Sequence, residues 1–136
     1  MLDNAYQIVA GVVLLTVIGI AYGGTFLLRV FRGAVPTNGL QKSFFRAGHA
    51  HAGVLVILGL LILLYMRLNE VGQPWSTLSF GVLAAAIFMP AGFFLSVLGT
   101  DPQRPNRFLG LLWFGAAGLT VGLASAGIGL IAAGVG

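Results

Sequence analysis

Two histidines, His49 and His51, stand two positions apart in the run AGHAHAG at residues 47–53. Imidazole binds transition metals and exchanges protons near neutral pH, so these are the candidate cofactor-binding residues of the chain. Helical residues i and i+2 point about 200° apart, so one metal ion cannot be held by both side chains. A compact mononuclear zinc site is not predicted, because no Asp, Glu or Cys lies nearby in the sequence to complete it.

The helical wheel places a narrow strip of small residues, Gly48, Ala52 and Gly59, between the two histidines. A helix that docked on this strip would have one imidazole on each side. Two interpretations of the pair stay open at this point. The histidines either serve a structural or interfacial role near the membrane surface, or they bind a metal or another cofactor.

The run at 47–53 resembles the start of the second membrane helix in subunit I of haem–copper oxidases and their relatives. In that family a histidine in such a run is an axial ligand of a low-spin haem. The resemblance therefore implies haem as a possible cofactor of His49 or His51. The later histidines of that family, which supply the opposite ligand and the copper site, have no counterpart here. A haem bound in this way would take its second ligand from another copy or another subunit.

The composition places the chain in a membrane. Hydrophobic residues make up 58% of the 136 positions and charged residues 7%, whereas an average protein has about 25% charged residues. The mean hydropathy is +1.00. The net charge of +4 comes with no phosphate-binding motif and no basic surface interleaved with aromatic residues, so nucleic acid is not a predicted partner.

Four apolar segments are expected to cross the bilayer, and each exceeds the roughly 20 residues that a transmembrane helix requires. They cover residues 5–31, 45–67, 77–99 and 108–134. The sequence thus predicts one all-α transmembrane domain over residues 1–136, built as a four-helix bundle. Asn38 with Gln41 three residues later resembles a capping pair, which favours a second helix that begins ahead of the membrane.

The basic residues predict the orientation of the bundle. Six of the seven flank the first and third loops: Arg29, Arg32, Lys42, Arg46, Arg104 and Arg107. The second loop offers Arg67, offset by Glu70. Because positively charged loops stay in the cytoplasm, both termini are expected outside a cell membrane, with the first and third loops inside. A partner subunit that fixes the orientation is the alternative.

Small residues predict where helices touch, since lipid supplies no hydrophobic drive for their association. The fourth helix carries a row of them on one side, namely Gly115, Gly118, Gly122, Ser125 and Gly129. One interpretation is packing inside the bundle. The other is an outward face that binds a copy of the protein or another subunit, for which this helix is the best candidate.

Pro90 interrupts the third helix and deprives the carbonyl of Ala86 of its usual hydrogen-bond donor. This carbonyl and Ser96 could line a small polar cavity. The simpler interpretation is a kink without a further role.

The spans contain no carboxylate, and Glu70 and Asp101 lie in loops on opposite sides of the predicted membrane, so enzymatic catalysis is not favoured. Three functions remain. The first is a small membrane protein that acts through helix packing, as an accessory subunit or homo-oligomer, with the bilayer and other membrane chains as partners. The second is a haem- or metal-binding membrane protein that uses His49 or His51. The third is a small pore or carrier.

Overall fold

A computed structural model describes the backbone of residues 2–136 and the side chains of residues 4–136. Every regular element in this part of the chain is an α-helix: α1 (Leu2–Phe31), α2 (Gly39–Leu68), α3 (Trp75–Leu78), α4 (Gly81–Leu95) and α5 (Leu109–Val135). The short α3 leads into α4, and together they form the third of four spans long and apolar enough to cross a membrane. The predicted all-α fold with four membrane-spanning helices is confirmed.

Helix α2 begins at Gly39, six residues before the predicted apolar segment. The reason is the capping box at its start. The side chain of Asn38 accepts a hydrogen bond from the Gln41 backbone N–H at 2.9 Å, and the Gln41 side chain accepts one from the Asn38 N–H at 3.1 Å. Two backbone donors that the first turn would leave unpaired are thereby satisfied.

The third span ends at Leu95 instead of continuing to residue 99. Two of its terminal carbonyls accept hydrogen bonds from Asn106, with the side-chain amide 3.0 Å from the Leu95 oxygen and the backbone N–H 2.7 Å from the Ser96 oxygen. Gly99 then adopts a φ of +121°, a conformation that glycine accommodates readily. The chain therefore leaves the helix with its last carbonyls partnered.

Helix α4 makes the most extensive contacts. It packs on α2 and on α5, which also contact each other, while α1 packs mainly on α2. In the most apolar stretch of α1 no residue is buried, whereas 28% of the corresponding stretch of α2 is buried. The helices α2, α4 and α5 thus form the packed part of the molecule, and α1 lies at its edge.

The row of small residues on α5 faces α4. A Cβ built on Gly115 would lie 2.8 Å from the backbone nitrogen of Met89, and one built on Gly122 would lie 2.6 Å from that of Val82. Gly129 lies against the side chain of Trp75 in α3. The two backbones approach too closely for larger side chains, so this row is occupied within the chain and is not the face available to a partner.

The strip on α2 meets α4. A Cβ on Gly48 would lie 2.7 Å from the ring of Phe94, and Gly59 is in similarly close contact with Leu83. Ala52, between them, lines a crevice between α1 and α4. The predicted strip is thus a docking surface for α4.

Candidate functional site

The two histidines lie in different helix interfaces. His49 faces α1, where a Cβ on Gly23 would be 3.6 Å from its Nδ1 and a Cβ on Gly24 would be 3.7 Å from its Nε2. His51 faces α4, and its ring centroid is 5.0 Å from that of Phe93. One imidazole therefore lies on each side of α2, as their angular separation on the helix requires.

The ring of His51 is oriented by its own helix. Its Nδ1 lies 2.7 Å from the carbonyl oxygen of Ala47, one turn earlier. Because a carbonyl oxygen only accepts, Nδ1 is the donor in this hydrogen bond, and Nε2 is the ring nitrogen left for a ligand. Metal-ligating histidines are commonly held in this way, with one ring nitrogen donating to a carbonyl and the other free to bind.

His49 offers less space to a ligand. Both of its ring nitrogens face glycine positions of α1, where a single added Cβ would already be at van der Waals distance, so a porphyrin at either nitrogen would require α1 to move. Within residues 4–136 no group of three or more His, Cys, Asp or Glu side chains is placed to hold a metal ion.

A lateral crevice of about 440 Å³ separates the middle of α1 from α4, with α2 as its floor. Its wall is apolar and includes Ile20 of α1, Val56 of α2 and Leu83 of α4. Thr16 also lines it, but the Thr16 hydroxyl donates to the carbonyl of Val13 at 2.6 Å. Such a wall suits an acyl chain or an apolar side chain better than an ion, which needs polar groups to replace its hydration shell.

Ala86, Pro90 and Ser96 are separated in the structure. Ala86 lines the lateral crevice, and Pro90 is buried one turn further along α4. Ser96 is 1% exposed at the end of the helix, where its hydroxyl donates to the carbonyl of Phe93 at 3.3 Å. Ten residues of helix correspond to about 15 Å. The structure therefore does not bring the Ala86 carbonyl and the Ser96 hydroxyl into one cavity.

The first and third loops are joined by a polar junction, and we call this junction the loop clasp. It consists of Asn38, Gln41, Val97, Gly99, Asp101 and Pro102. The Asn38 amide donates to the Asp101 carboxylate at 2.9 Å and to the Pro102 carbonyl at 2.7 Å. The Gln41 amide donates to the carbonyls of Val97 and Gly99, each at 3.0 Å. Sequence reasoning identified Asn38 and Gln41 only as a local cap. The clasp places both loops at one end of the molecule.

Comparison of the chain with protein-family models, with curated proteins and with solved structures found no match.

Proposed function

We propose that the protein is an integral-membrane subunit that acts through helix packing and assembles with further copies of itself through the outer face of α5. The observation that supports this is a second row of small residues, which we call the outer row. All of its members are exposed: Ala117, Thr120, Ala124, Gly127 and Gly134. At 100° per residue they share about a third of the helix surface, opposite the row that packs on α4.

Internal packing does not account for the outer row. A Cβ built on Gly127 or on Gly134 would have no atom within 4 Å. A glycine inside a helix also makes helix formation less favourable than an alanine does, by about 1 kcal/mol, so these glycines do not stabilise α5 by themselves. On a membrane helix, small residues permit the close backbone approach that lets two helices associate without a hydrophobic drive. Trp113 and Ile131, both 68% exposed, share this face and supply bulk for an interlocking contact.

The scarcity of reactive groups agrees with a packing role. The two acidic side chains outside the N-terminal tail, Glu70 and Asp101, lie at opposite ends of the molecule, beyond the ends of α2 and α4. Acid–base or nucleophilic catalysis requires such groups to converge on one substrate. The helix surfaces of this chain therefore offer more for packing against other helices than for catalysis.

The test is the oligomeric state of Gly127→Leu, with Gly11→Leu as the matched control. Both glycines have open space where a side chain would begin, so both variants are expected to fold. The mass of the purified protein, corrected for detergent, should show an oligomer for the unsubstituted chain and for Gly11→Leu, and a smaller species for Gly127→Leu. An unsubstituted chain that is monomeric, or two variants that behave alike, would contradict the proposal.

A second candidate function is haem ligation by His51, and the hydrogen bond from its Nδ1 to Ala47 is the observation that favours it. Protein purified from haem-replete cells should then show a Soret band that is lost in His51→Ala and retained in His49→Ala. Colourless protein, or a band that survives His51→Ala, would count against this assignment.

A further inference from the structure

A groove of about 280 Å³ lies between α1 and α2 at the end of the molecule that carries the loop clasp. Leu27, Val30 and Phe31 of α1 form its apolar side, and Lys42 and Arg46 of α2 form its basic side. Val30 is 4% exposed and packs with Phe45 and Val97. The groove therefore has a fixed floor.

The groove holds two cations side by side. Lys42 and Arg46 are four residues apart on α2 and share one face, an arrangement in which like charges repel. Within residues 4–136 neither side chain has a hydrogen-bond or ion-pair partner. The carboxylate of Asp101, at the same end of the molecule, is hydrogen-bonded to Asn38 instead. An anion that lies between the two cations would remove this repulsion.

The apolar side of the groove indicates what kind of anion fits. Phe31 is 86% exposed at the end of its span, where aromatic residues meet lipid headgroups. Arg46 can bind two phosphate oxygens with its planar guanidinium, and Lys42 adds a point charge. Basic pockets between membrane helices at this depth bind anionic headgroups, while the acyl chains remain along the adjacent helix surfaces.

We propose that the groove formed by Leu27, Val30, Phe31, Lys42 and Arg46 binds the headgroup of an anionic phospholipid. The lipid phosphate lies between Lys42 and Arg46, and the glycerol backbone lies over Val30. This inference does not depend on the assembly of α5 or on a cofactor at His51.

The experiment compares retention of phosphatidylglycerol and phosphatidylcholine by the purified full-length chain, measured by native mass spectrometry from mixed micelles. The unsubstituted protein should retain phosphatidylglycerol preferentially. The double variant Lys42→Gln/Arg46→Gln should weaken this retention by about tenfold or more, since each basic residue near the surface contributes to binding of anionic lipid.

Two controls separate the groove from general surface charge. Arg104→Gln/Arg107→Gln removes the same charge at the same end of the molecule but outside the groove, and it should weaken retention less than Lys42→Gln/Arg46→Gln does. Leu27→Trp fills the groove while keeping both cations, and it should weaken retention. Circular dichroism establishes that each variant is folded.

Four results would overturn the proposal: equal retention of the two lipids by the unsubstituted protein, equal losses in the two double variants, unchanged retention in Leu27→Trp, or displacement of the lipid by millimolar inorganic phosphate. The last result would identify a free-anion site instead of a lipid site.

Discussion

Gly122 of α5 lies so close to Val82 of α4 that a methyl group on the glycine would stand 2.6 Å from the valine backbone nitrogen. The same methyl group would lie 2.8 Å from the valine Cγ2. Val82 is fully buried, so neither its side chain nor its backbone has room to retreat. This contact fixes the separation of α4 and α5 at the start of α4.

Gly122→Ala should therefore destabilise the protein by about 1–3 kcal/mol, the usual effect of overpacking. Gly53→Ala in α2 is the matched control, because a Cβ there has no atom within 4 Å. The alanine at residue 53 should leave stability unchanged or raise it slightly through helix propensity. Unfolding in detergent, followed by circular dichroism, measures both effects. Equal stability of the two variants would mean that α4 and α5 are farther apart than described.

Gln41→Glu isolates the contribution of the loop clasp. The substitution keeps a side-chain oxygen for the Asn38 N–H but removes the amide that donates to Val97 and Gly99. Gln41 is 4% exposed, so a largely buried carboxylate would face the carbonyl oxygens of Val97 and Gly99 without a donor. We expect a loss of at least about 2 kcal/mol in stability.

Gln103→Glu is the control for this effect of charge. Its amide donates to the Asp101 carbonyl at 3.1 Å in an exposed position, where water can replace the lost hydrogen bond. The same unfolding measurement should give a change below about 0.5 kcal/mol. If both substitutions have the same effect, the clasp does not stabilise the fold.

Adjacent alanines of α4 test the lateral crevice. Ala85 is fully buried and packs with Leu55 and Met89, so Ala85→Leu should cost about 1–3 kcal/mol by overpacking. Ala86 lines the crevice, and a leucine there has space to extend, so Ala86→Leu should be close to neutral. The stabilities of both variants are compared by thermal unfolding in the same detergent. A smaller loss for Ala86→Leu than for Ala85→Leu would indicate an open crevice, and equal losses would indicate that α1 packs against α4.

The predicted orientation can be tested with single cysteines, because the chain has none of its own. Gln73→Cys and Gln103→Cys occupy exposed positions in the second and third loops. A membrane-impermeant maleimide applied to intact cells should label residue 73, and it should label residue 103 only after permeabilisation. The reverse pattern would show that something other than loop charge fixes the orientation.

The sequence alone determined the number of spans and the approximate place where each begins and ends. These properties depend on the length of apolar runs and on local signals such as the capping pair of Asn38 and Gln41, which act within a few residues. The separation of His49 and His51 on opposite sides of α2 also followed from helix geometry. The end of α4 at Leu95 was less accessible, because the hydrogen bonds at this end come from Asn106, eleven residues later.

Only the tertiary structure decided which face of each helix meets which neighbour. Helix α5 has two rows of small residues, one containing Gly122 and the other containing Gly127, and the sequence does not distinguish their environments. The physical reason is that lipid and the protein interior are similarly apolar, so hydrophobicity does not mark the inside of a membrane protein. In this chain the close approach of α4 assigns Gly122 to the interior and leaves Gly127 facing outward.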